Sequence, residues 1–167
     1  MTYRAVIWGI GATYNHMVNT ISYFEMKGQL KVVAMTATDL PPYRKIDGCT
    51  IVNREEIQYL EYDMLIVMNE KNFKEIVQEA VMVYHIPREK IISYKILQIP
   101  LLDLDQYMKL KKSKISIISN NCWGGIVYST LGMEVLSPFK NLFVLDNDYI
   151  KLLCNLKHYM ECDLRFY

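Results

Sequence analysis

The chain has 167 residues, 51% apolar and 22% charged, with 19 basic against 18 acidic side chains and a net charge of +1. That is room for one full globular domain and part of another, and a near-neutral balance gives no electrostatic ground for nucleic-acid binding. No apolar run approaches the ~18–20 residues that span a bilayer, and the N-terminus shows no signal-peptide pattern, so we expect a cytoplasmic protein without a membrane span.

Four cysteines (Cys49, Cys122, Cys154, Cys162) are widely spaced without a Cys-x-x-Cys pair, and the three histidines are scattered. They read as free thiols, and no metal site is expected. Thirteen tyrosines and ten methionines suit half-buried surfaces and irregular gaps, and hence an interface such as that of a homodimer.

In chain order, Arg4–Trp8 predicts a short buried strand stopped by Gly9. Thr13–Lys27 predicts a helix, with Met17, Ile21 and Phe24 at helical spacing and Gly28 as its stop. Strand, Gly-x-Gly and helix in that order open a nucleotide-binding βαβ unit, whose first helical amides can hold an anion. Gly9, Gly11, Ala12 and Thr13 are therefore the candidate phosphate contacts; a tight turn without a ligand is the other reading. The third glycine of Gly-x-Gly-x-x-Gly is replaced by Tyr14, which either stacks on a base or sugar or plugs the cleft.

Leu30–Ala37 predicts a second strand ending near Asp39. An acidic residue there can take ribose hydroxyls, but Asp39 lies 28 residues past Gly11, beyond the usual spacing of roughly 20, and a plain loop aspartate remains open. Pro41, Pro42 and Gly48 predict a loop around an extended piece at Cys49–Val52, and Asn53 caps a short helix. Asp63–Met68 is a third strand, Asn72–Tyr84 a helix and Lys90–Ser93 a fourth strand. Alternating buried strands and amphipathic helices predict an α/β fold, a Rossmann-like parallel sheet with helices on both faces. We assign residues 1–99 to this domain and 100–113 to a connecting helix.

From residue 114 the pattern restarts: strand Ile115–Ser119, a glycine turn, helix Ile126–Met133, strand Asn141–Leu145 and helix Asp146–Tyr159. This second α/β unit, 114–167, has too few strands to close a core. It ends at Leu164-Arg165-Phe166-Tyr167 without a stop signal. The expectation is a truncated domain of a longer protein; a short unit packed on the first or on a partner chain is the alternative. Cys122 precedes a helix, where a thiolate is favoured, and His158, Asp146 or Asp148 could serve as its base. A buried, inert cysteine is the other reading. Asn120, Asn121 and Trp123 suit sugar recognition, amides for hydroxyls and an indole face for a ring, and equally suit a capped turn.

Residues 3–99 resemble the Rossmann-like accessory domain of bacterial surface-polysaccharide proteins. The resemblance rests on Ile7-Trp8-Gly9-Ile10-Gly11, Asp39, Tyr62-Asp63-Met64-Leu65-Ile66-Val67 and Ile86-Pro87-Arg88-Glu89-Lys90-Ile91. From about Lys114, Ile118-Ser119-Asn120-Asn121-Cys122-Trp123-Gly124-Gly125, Tyr128, Leu131-Gly132, Ser137-Pro138 and Asn141-Leu142-Phe143 resemble the start of a family labelled exopolysaccharide biosynthesis proteins, loosely called acetyltransferases. The resemblance implies a role in surface-polysaccharide assembly, a nucleotide or nucleotide-sugar ligand in the first domain, and a transferase site in the second. A degenerate, non-catalytic module for dimerisation or docking is the rival expectation. No cofactor is singled out.

Overall fold

Tyr3–Trp8 forms the first strand, β1, and Ala5, Val6, Ile7 and Trp8 are buried on both of its pleated faces. A strand covered on both sides belongs in a parallel sheet between helix layers. The computed structural model, which describes residues 1–162, has that arrangement. The remaining strands are β2 (Leu30–Thr36), β3 (Lys45–Ile46), β4 (Cys49–Thr50), β5 (Met64–Val67) and β6 (Ile91–Ser93). The main sheet runs β2-β1-β5-β6, every neighbouring pair parallel.

Helix α1 (Ala12–Met26) joins β1 to β2, and α2 (Phe73–Met82) joins β5 to β6. These crossovers run outward in opposite directions from the central β1–β5 pair, so right-handed connections put the helices on opposite faces. Val6, Trp8, Leu65 and Val67 share one core cluster with Ile76, Val77 and Ala80 of α2. Strand alternation turns Ala5, Ile7, Met64 and Ile66 to the other face; they too are fully buried, and Met17, Ile21 and Phe24 of α1 are buried as well. This is the expected Rossmann-like α/β sheet.

Two segments of the first unit differ from expectation. The loop predicted before Val52 contains a two-residue hairpin: Asp47 (φ +48°) and Gly48 (φ +78°) are the central residues between β3 and β4. Two positive φ angles give a turn whose twist matches the strands it joins, and Asp-Gly supplies them at little cost. Segment 100–113, expected as a connector, belongs to the first of two compact units, Met1–Ser113 and Lys114–Tyr167. Its helix, α3 (Leu104–Lys112), is capped by Asp103 and buries Leu104, Tyr107 and Met108. The Tyr3 hydroxyl donates to Asp105 of α3 at 2.9 Å.

The second unit contains α4 (Trp123–Thr130), α5 (Asp146–Cys154) and α6 (Leu156–Glu161), and no strand forms among its described residues. Ile115–Ser119 and Asn141–Leu145 are therefore irregular segments rather than the expected strands, and Asn141 takes a left-handed φ of +60°. The backbone of the first is served by side chains: Tyr128 Oη accepts from the Ile117 amide at 2.7 Å and donates to the Ile115 carbonyl at 3.3 Å. Tyr149 Oη donates to the Ile118 carbonyl at 3.0 Å. A β-branched run becomes a strand only where another strand offers it a ladder. The helix expected over Asp146–Tyr159 is two, broken at Asn155 (φ −126°, ψ 31°). The expected terminal signal at Leu164–Tyr167 lies outside the described residues.

Candidate functional site

The order of the main sheet reverses between β1 and β5, and parallel sheets bind ligands beyond their carboxyl ends at such a point. The chain leaves β1 there through Gly9, at φ +112°, where a Cβ would stand 3.3 Å from Met68 Cβ. Gly11 is the N-cap of α1, has no side chain to cap the helix, and has open space where a Cβ would point. The first turn of α1 contains no acidic residue. The first intrahelical bond inward is Asn15 N to Gly11 O at 3.2 Å. The amides of Ala12, Thr13 and Tyr14 precede it and have no acceptor among the described residues, as helix starts require unless a cap or ligand intervenes. Gly11 and Ala12 are exposed and Thr13 half-buried.

Tyr14 is 4% exposed and its hydroxyl donates to Asp47 Oδ2 at 2.9 Å. Burial, then the bond to Asp47, pushes its ionisation well above the ordinary tyrosine value. The ring is thus held towards the β3–β4 hairpin. Asp39 is exposed, three residues past the end of β2, with no polar partner among the described residues.

In the second unit, Asn120–Gly125 is a close-packed helix start. Ser119 Oγ accepts from the Gly124 amide at 3.1 Å, and Asn121 Oδ1 accepts from the Trp123 amide at 2.8 Å. A Cβ on Gly124 would lie 2.7 Å from Ser119 Oγ, and one on Gly125 would lie 1.8 Å from Asn141 Oδ1. The two glycines thus let α4 approach its neighbouring segments. Asn120 Nδ2 donates to Asp146 Oδ1 at 3.0 Å. Asn121, Cys122 and Trp123 are exposed. His158, on α6, is exposed, and its ring lies 5.5 Å from that of Tyr159. No hydrogen bond, ion pair or ring contact joins Cys122 to His158, Asp146 or Asp148.

Residues 1–92 match the family described as C2185-like, N-terminal, over more than half of the chain. The chain belongs to that family. Residues 92–167 match a domain of unknown function, DUF1919. Among solved structures the chain is similar to the crystal structure of RSP, a Rex-family repressor, at 13% identity and a TM-score of 0.44, over 96% of this chain and 62% of that one. It therefore spans less than two thirds of that protein's length. Among curated proteins, none matches.

The carboxyl edge of the sheet also holds residues that the motif reading did not reach. Asn69 Oδ1 accepts from the Asn72 amide at 2.9 Å just beyond β5. Glu70 forms an ion pair with Lys95, which follows β6, and the Tyr94 hydroxyl points to the same carboxylate at 3.5 Å. The Lys95 bond holds the Glu70 carboxyl below its usual range, and Glu70 raises the Lys95 ammonium in turn. Their signal lay in sheet topology rather than in any motif: they follow the ends of two parallel strands. Among the described residues no group of three or more His, Cys, Asp or Glu side chains could hold a metal ion. No helix there is long and apolar enough to cross a membrane.

Proposed function

We propose that the first unit binds the phosphate of a nucleotide or nucleotide-sugar at the Gly9–Thr13 turn, and that the protein serves surface-polysaccharide assembly, the role its sequence resemblance implies. One observation carries the ligand reading: an uncapped 15-residue helix starts at the reversal point of the sheet, with three amides lacking acceptors and open space at Gly11. Partial positive charge at that end favours an anion.

Thermal unfolding against uridine and guanosine nucleotides, nucleotide-sugars and nicotinamide dinucleotides tests the reading. A ligand at 100 times its Kd stabilises by about 2.7 kcal/mol. Gly11→Asp supplies a capping carboxylate at a position that accepts one, keeping stability within a few tenths of a kcal/mol. It places a negative charge on the phosphate position and should abolish the shift. A shift that survives the substitution would remove the turn from the argument.

The second unit is assigned no bond-making step, since Cys122 has no base in contact. A docking role has an observation in its favour: Trp123, Ile126, Phe143, Leu145 and Ile150 are each 59% exposed or more, a density of apolar surface associated with partner contact. Sedimentation of the protein over a range of concentration separates a homodimer from a monomer.

A further inference from the structure

The geometry points to a modification site at Lys111: its amine adds carbon dioxide reversibly, and the carbamate so formed pairs with Arg88. Lys111 follows Met108 by three residues and Tyr107 by four, so it lies on the face of α3 that those two bury. Its neighbours Lys109 and Lys112 are exposed, whereas Lys111 is half-buried. β6 is an edge strand, and its Ile91 carbonyl takes two side-chain donors, Lys111 Nζ at 2.5 Å and Arg88 Nη1 at 3.3 Å. Two cations therefore meet on one oxygen. Neither forms an ion pair with a carboxylate among the described residues.

An amine adds carbon dioxide only after losing its proton, and a lysine gives its proton up where it is desolvated and stands beside another cation. Lys111 meets both conditions. Burial first, then Arg88, brings its ammonium down to about 8, with Glu89 opposing them. Tyr107, on the same face of α3, is kept neutral by burial, while the Arg88 charge acts on it in the other direction. In the addition the neutral nitrogen forms a bond to the carbon of carbon dioxide. One C=O π pair moves onto oxygen, and one proton leaves the nitrogen for solvent. The carbamate keeps one N–H, which can still donate to the Ile91 carbonyl, and its two oxygens suit the planar fork of a guanidinium. A repelling pair of cations becomes an ion pair, and that attraction offsets the cost of a half-buried anion. Arg88 is exposed and Lys111 only partly covered, which leaves a way in for a three-atom molecule.

Trapping tests the site. The protein is equilibrated with bicarbonate near pH 8, the midpoint of Lys111, and treated with triethyloxonium tetrafluoroborate, which turns carbamates into stable esters. Mass spectrometry of the digested protein then locates the label. We expect it at Lys111, rising as pH is raised towards 8 at constant dissolved carbon dioxide. Lys111→Arg keeps a cationic donor for Ile91 but adds no carbon dioxide, and should lose both that label and a carbamate carbon resonance seen with ¹³C-bicarbonate. Arg88→Gln keeps a donor for Ile91 and removes the charge. It should lower the label about two- to fivefold, the weight of a partly exposed charge pair. A label confined to the α-amino group of Met1, or spread evenly over the exposed lysines, would overturn the site, and an unaltered label in Arg88→Gln would remove Arg88 from it. Should Lys111→Arg fail to fold, the peptide map of the unaltered protein decides. The outcome is independent of the phosphate turn, whose test uses Gly11→Asp.

Discussion

Gly9 and Gly11 are two residues apart and do different work. Gly9 takes a φ that L side chains rarely adopt and lies against Met68, so Gly9→Ala should cost about 1–3 kcal/mol in urea unfolding. A methyl on Gly11 enters open space, and Gly11→Ala should cost no more than about 1 kcal/mol, the difference between a fair and a poor N-cap. Equal losses would mean that the turn is not built as described. Tyr14 also resolves at this scale. The ring is buried and its hydroxyl bonded to Asp47, which holds it towards the β3–β4 hairpin. Asp47 is distant in sequence, so nothing near Tyr14 announces that partner.

Single elements depend on side chains that stand in for missing backbone partners. Tyr128 on α4 completes the hydrogen bonding of Ile115 and Ile117. Tyr128→Phe leaves the Ile117 amide without its acceptor and should destabilise the second unit by about 1–3 kcal/mol. Hydrogen exchange at Ile117 should quicken, and unchanged exchange there would refute the role given to this hydroxyl. In α3, Asp105 accepts from Lys109, at 2.6 Å, and from Tyr3, in that order of effect, which holds its carboxyl below the usual 3.8. A depressed folded-state value contributes stability above the unfolded value, and that contribution is lost as pH falls from about 3.8 through the folded value. Asp105→Asn should therefore flatten the acid limb of stability, read as denaturant midpoint against pH, while at neutral pH the variant is the less stable. A steeper acid limb in the variant would reverse the assignment.

For the whole molecule, the division after Ser113 makes a prediction about folding units. A chain ended there keeps Leu104, Tyr107 and Met108 buried and should unfold cooperatively. One ended after Ile99 loses all three, each worth about 1.5–3 kcal/mol, against a total stability of about 5–15 kcal/mol for a domain. The shorter chain should melt far lower by circular dichroism. Matching midpoints would place the boundary at the connector instead. The exposed apolar side chains of the second unit belong to the same scale, since a small unit buries too little surface to be stable without cover.

Much of the first unit is legible in the linear chain, because period and punctuation are local. Strands buried on both faces read as unbroken apolar runs, Gly9 and Gly28 mark turns, and the amphipathic period of α2 shows its inner face. The Asp47-Gly48 hairpin was equally local, and the dipeptide is its signal. The second unit was not legible in the same way. Ile115–Ser119 carries the composition of a strand, but whether such a run joins a ladder depends on what the fold brings beside it, here tyrosine hydroxyls. The candidate site divides along the same line. Gly9, Gly11 and the start of α1 are neighbours in sequence and could be read there. Glu70 beside Lys95, and Tyr14 beside Asp47, are contacts between residues 25 and 33 positions apart. Such contacts exist only once parallel strands align their carboxyl ends and a hairpin folds back over a helix.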